Sequence, residues 1–96
     1  MVYVENLVEA RHLLGMRVKI LRKSRRLTQE QLGFMAGINR SRISRIEAGQ
    51  INIGVDTIFL LACALDVQPA DLLAGIDLSG NVDGDSLPIS LGFSKH

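Results

Sequence analysis

Between Thr28 and Gly49 the chain reads TQEQLGFMAGINRSRISRIEAG, and two helix-starting residues separated by a glycine leave few ways to fold it. The Thr28 hydroxyl can accept from the free amides of a first helical turn, and Glu30 follows where a carboxylate suits the positive end of a helix. That helix is short, because Gly37 sits where the chain must turn sharply, and glycine enters the left-handed region without a side-chain clash. Ile38 is then free to point inward. Asn39 is a strong N-cap for a second helix, on which Ile43 and Ile46 share one face, and Gly49 ends it. The expected unit is two short helices joined by a tight turn and pinned together by isoleucines.

The other face of the second helix carries different chemistry. Arg40, Ser41, Ser44, Arg45 and Ala48 form one stripe pointing away from the isoleucines. A guanidinium can bond both acceptors on the edge of a guanine, and a serine hydroxyl can serve either kind of base pair. Arg40, Ser41, Ser44 and Arg45 are therefore candidate base readers for a helix lying in the major groove of double-stranded DNA. Small neighbours let such a helix sit deep. Arg42 on the flank, and Gln50 and Asn52 in the connector QINIG after Gly49, are candidates for flanking phosphates.

These residues resemble the Cro and XRE group of helix-turn-helix regulators. The likeness runs through Thr28-Gln29-Glu30, Leu32, Gly37-Ile38-Asn39, Ile43-Ser44, Ile46-Glu47 and Gly49. It continues through Asp56-Thr57-Ile58, Ala62, Ala64-Leu65 and Leu72-Leu73, so that it covers roughly residues 13–74. It implies an all-α fold, a five-helix lambda-repressor-like DNA-binding domain, with Gln29 touching a phosphate and Arg40, Ser41 and Arg45 reading bases. Gly33 departs from the family, which usually has alanine there; glycine costs a helix roughly 1 kcal/mol relative to alanine and permits a closer helix contact. In this fold the inner edge of the first helix should meet the end of the second helix of the motif. Glu47 stands among the inward isoleucines and needs a partner, for which Arg22 is the candidate.

A net charge of only +1 hides a strong asymmetry. Residues 11–49 hold ten arginines and lysines against Glu30 and Glu47, whereas residues 50–96 hold Lys95 against six aspartates. The basic half is an electrostatic footprint for phosphates, and the acidic half should face away from them. Among 96 residues there is no tryptophan and only four other aromatic side chains, which argues against stacking on single strands. The single cysteine, Cys63, excludes a disulfide within the chain and a thiolate metal site, and favours a reducing compartment. With no apolar run long enough to cross a bilayer and Glu5 and Glu9 near the N-terminus, the expected location is the cytoplasm, without a membrane partner.

Away from the motif, Leu14, Val18 and Leu21 recur at helical spacing and place a first helix at about residues 13–25. Residues 1–12 form an N-terminal extension, 13–75 the helix-turn-helix domain, and 76–96 a C-terminal arm. A fourth helix over 57–65 has Ile58, Leu61, Ala62 and Leu65 on its inner stripe. Phe59, Leu60 and Cys63 leave it apolar nearly all round, so a further surface must cover it. Pro69 suits the first turn of a short fifth helix. The run from Asp77 to Ser86 reads as a loop. It is not a calcium loop, since Val82 and Pro88 stand where a glycine and a glutamate are needed.

Leu87, Ile89, Leu91 and Phe93 then alternate with smaller residues as in a short β-strand with one buried face, which Pro88 confines to an edge. Apart from VYV at the N-terminus the chain offers that strand no partner. Tail strands of two subunits pairing, or packing over the mate's fourth helix, would make Phe59, Leu60, Cys63, Leu87, Ile89, Leu91 and Phe93 a dimer interface.

The expected function is a sequence-specific transcriptional regulator, a repressor acting as a homodimer on a palindromic operator. The alternatives are an antitoxin whose arm or outer apolar helix neutralises a toxin, and a restriction-modification controller; an activator touching RNA polymerase is a variant of the first reading. No enzyme is legible. His12 and His96 stand alone, no serine has a nucleophile or phosphate-loop context, and neither cofactor nor metal is called for.

Overall fold

The computed structural model describes residues 2–4 and 6–78. Within them a strand, five helices and a second strand follow in order: β1 (Val2–Val4), α1 (Leu7–Ser24), α2 (Gln29–Ala36), α3 (Arg40–Glu47), α4 (Val55–Leu65), α5 (Pro69–Leu73) and β2 (Ile76–Leu78).

The helix starts follow from local hydrogen bonds. Thr28 and Gln31 form a reciprocal capping box: Thr28 Oγ1 accepts from the Gln31 amide at 3.0 Å, and Gln31 Oε1 accepts from the Thr28 amide at 2.8 Å. Asn39 Oδ1 accepts from the Arg42 amide at 2.8 Å and starts α3. Each bond satisfies an amide that the helix itself leaves free. Between them Gly37 takes φ 72°, with open space where a Cβ would lie, so only backbone conformation demands glycine there.

The first helix starts well before the expected residue 13. Asn6 caps it by accepting from the Glu9 amide at 2.9 Å, so residues 7–12 are its first turns and not a separate extension. Helix α4 opens at Val55 after Gly54, with no side-chain cap, and Thr57 is buried inside its first turn.

The core is aliphatic. Leu14 and Val18 of α1, Leu32 and Ala36 of α2, Ile38 of the turn, Ile43 and Ile46 of α3, Leu61, Ala62 and Leu65 of α4 and Leu72 of α5 form one buried cluster. Each fully buried leucine or isoleucine contributes about 1.5–3 kcal/mol. Helix α3 is wedged against both α1 and α2, while α4 packs under α2 and α5. The approach of α1 to α3 is close enough to require a missing side chain: a Cβ on Gly15 would collide with the backbone carbonyls of Ile46 and Glu47. Gly33 likewise lies against the Ile38 carbonyl.

The strands form a two-stranded parallel sheet in the register Val2↔Ile76, Tyr3↔Asp77, Val4↔Leu78. The N-terminal VYV therefore pairs with the residues just after α5. The expected tail strand with Leu87, Ile89, Leu91 and Phe93 lies outside the described residues. No helix among those described is long and apolar enough to cross a membrane.

Candidate nucleic-acid interface

The packing of α3 decides what its two faces can do. Ile43 and Ile46 are buried, and Arg40, Ser41, Ser44, Arg45 and Ala48 on the opposite side are exposed, with Arg42 half-buried on the flank. None of the side chains of Arg40, Ser41, Ser44 or Arg45 makes a hydrogen bond or ion pair within the described residues. The structure thus gathers the four candidate base readers on one surface with their donors unspent.

The end of the same helix is fully engaged. Arg22 Nε donates to Glu47 Oε2 at 2.7 Å and Nη2 donates to Glu47 Oε1 at 3.1 Å, a two-pronged pair with both side chains nearly shut off from solvent. The remaining arm of the guanidinium, Nη1, donates to the Leu27 carbonyl at 2.7 Å, in the turn ahead of α2. One arginine on α1 thereby fixes α3 and the entry to α2 together. No described buried side-chain nitrogen or oxygen is left without a partner, the condition under which a buried ion pair is tolerated.

Gln29 behaves differently from a free phosphate ligand. It is half-buried, and its Nε2 donates to Glu47 Oε1 at 3.1 Å. One N–H of its amide is spent on the ion pair; a primary amide has a second to offer. Gln50 and Asn52 are exposed in the connector after α3. Asn52 Oδ1 accepts from Arg11 Nη1 at 3.4 Å.

Two anchors escaped the sequence. Arg17 Nη1 donates to the carbonyls of Asp71 at 3.1 Å and Ala74 at 2.6 Å, closing the C-terminal end of α5, where a cation is favoured. Gly15 opens α1 to α3. A glycine inside a helical pattern was the available signal for the second, and nothing local signalled the first.

On the far side, Val55, Phe59, Leu60 and Cys63 form an exposed apolar stripe along α4, with Phe59 57% exposed and Leu60 46%. The structure places the expected interface residues Phe59, Leu60 and Cys63 side by side; Leu87, Ile89, Leu91 and Phe93 are outside the described residues. Phe34 on α2 is more exposed still, at 89%.

A helix-turn-helix family model matches residues 18–72. Over 64 residues the chain is 42% identical to the control protein C.BamHI of Bacillus amyloliquefaciens, an alignment covering 66% of this chain and 79% of that protein. In structure it is similar to the restriction-modification controller protein C.AhdI of Aeromonas hydrophila, with TM-score 0.63 and 39% identity over 64% of this chain and 92% of the other. It is also similar to the P22 c2 repressor solved with a synthetic operator, with TM-score 0.61 and 31% identity over 65% of this chain and 94% of the other.

Proposed function

This chain belongs to the helix-turn-helix family, a DNA-binding transcriptional regulator, and from that premise we propose that it is a repressor that binds a two-fold operator as a homodimer. The observation that carries the reading is the division of α3, whose inner end is locked while Arg40, Ser41, Ser44 and Arg45 stand exposed and unspent. Laid in the major groove, that face reads bases, with Arg40 and Arg45 suited to guanine. Arg42, Gln50, Asn52 and the free N–H of Gln29 hold phosphates around it.

Two copies joined through Phe59, Leu60 and Cys63 of α4, with the arm over 87–93, place two recognition helices on half-sites about 34 Å apart or a multiple of it. Deleting residues 79–96, which leaves β2 whole, should then lower the dimer fraction in analytical ultracentrifugation, and an unaltered dimer removes the arm from the interface. The site of action is the cytoplasm, where the DNA is.

The direct test is a titration against the DNA upstream of its own gene and a scrambled duplex of equal length, at one salt concentration. Preference for the upstream DNA by about a thousandfold or more matches specific recognition. Equal, weak and salt-sensitive binding to both removes autoregulation.

A second reading is favoured by the likeness to two controllers, C.BamHI and C.AhdI: regulation of a neighbouring restriction-modification pair. A methyltransferase gene beside this one, sharing the operator, supports it; an isolated gene opposes it.

A further inference from the structure

On the reading above, the connector after α3 approaches the sugar-phosphate backbone, and one side chain beside that connector belongs to α1, outside the helix-turn-helix. Arg11 reaches Asn52 with its Nη1. The backbone beneath it is held in place: Gly49, at φ 72°, lies under His12, whose Cα would stand 2.9 Å from any Cβ added there. His12, the neighbour of Arg11, thus packs directly on the glycine that ends the recognition helix.

Two other arginines of α1 show how a structural guanidinium is used. Arg22 spends three nitrogens on a buried carboxylate and a carbonyl, and Arg17 closes the carbonyls of α5. Arg11 makes, among the described residues, one bond of 3.4 Å to a neutral amide and no ion pair. That distance is near the outer limit of a useful hydrogen bond, and the remaining N–H donors of its fork are unspent. The connector Gln50–Gly54 offers no carboxylate. A half-buried arginine with its charge uncompensated, turned towards a carboxylate-free loop at the rim of a basic surface, is arranged for an anion outside the chain.

We infer that Arg11 binds a backbone phosphate of the operator beside Asn52, so that the DNA contact extends past the helix-turn-helix onto the first turns of α1. The assignment rests on the proposed reading of α3 and makes Arg11 a contact that strengthens binding without choosing sequence.

The test uses the full chain and its R11Q, R11K, N52A and R11Q/N52A variants, titrated against a preferred and a scrambled duplex at a series of salt concentrations. R11Q should lower the slope of log affinity against log salt by about one. It should weaken both duplexes alike, by about fivefold at 0.15 M salt for a slope of about 0.9 per phosphate. R11K, which keeps the charge, should keep the slope. R11Q should have the same effect in the N52A background. An unchanged slope in R11Q overturns the assignment, and so does an effect that vanishes once Asn52 is gone, which would make Arg11 only a brace for the loop. R45A separates this failure from that of the wider reading: if R45A relaxes sequence preference while R11Q changes nothing, α3 reads the operator and Arg11 does not touch it. If the parent protein binds neither duplex, both fall together.

Discussion

Arginines stand on both sides of α3, Arg22 of α1 against its inner end and its own Arg40 and Arg45 on the outer face, and they are used in opposite ways. At the inner end, Arg22, Glu47 and Gln29 satisfy one another at 2.7–3.1 Å, with Arg22 and Glu47 nearly shut off from water and Gln29 half-buried. On the outer face, Arg40 and Arg45 have no partner in the described chain and lie open to solvent. A charge taken out of water must be answered within the fold, whereas an exposed one costs the fold almost nothing and can be reserved for a ligand. One short helix can therefore be fixed in position by one set of side chains and free to bind with another.

The comparison breaks most readily at Arg22. Arg22→Met should lower stability by about 3–5 kcal/mol, because it leaves the Glu47 carboxylate buried and unpaired; thermal melting measures it, and an unchanged curve would mean that the pair is not buried in solution. Replacing both partners by apolar residues should recover much of that loss, which would show that the pair fixes the position of α3 more than it adds net stability.

Next in size is Gly15→Ala. It forces a methyl group into the carbonyls of Ile46 and Glu47 and should cost about 1–3 kcal/mol as overpacking does, with α3 displaced and DNA affinity reduced in step. A variant as stable as the parent would mean that α1 and α3 stand further apart.

On the outer face the same kind of change should read out elsewhere. Arg45→Ala should leave melting within about 0.5 kcal/mol, cost about 1–3 kcal/mol in binding and relax preference at a single base position. Equal weakening on specific and random duplexes would make Arg45 a phosphate contact.

Gln29 lies between the two regimes and sharpens the contrast. Gln29→Ala should cost about 1 kcal/mol in stability through its lost bond to Glu47, and should weaken all duplexes alike. A loss in only one of the two measurements would assign the side chain wholly to the fold or wholly to the DNA.

Much of this division can be read in the chain because its causes are local. Thr28, Gly37 and Asn39 act within three or four residues of where they stand, and the period of Ile43 and Ile46 fixes which side of α3 is buried. Residues acting across the fold were less visible. The need of Glu47 for a partner is legible from its isoleucine neighbours, yet the third ligand, Gln29, is not, since a glutamine at a helix start has an equally good reason to face solvent. Arg17 gives no hint that it will reach α5, because it bonds backbone carbonyls and no complementary side chain announces them. The early start of α1 offered only a short pattern, Val4, Leu7 and Val8 at helical spacing with Asn6 as a cap, and VYV is too short to name its partner.

The pairing of β1 with β2 joins residues 2–4 to 76–78, and so closes almost the whole described chain into a ring. Such a closure draws its cost from chain entropy at a long separation while offering only three residues on each side. Assembly should therefore run from the helices outward, with the ribbon formed last and reopening without disturbing the core. In native-state hydrogen exchange, the amides of β1 and β2 should exchange well ahead of those at Leu32, Ile43 and Leu61, marking a latch that opens as its own small unit.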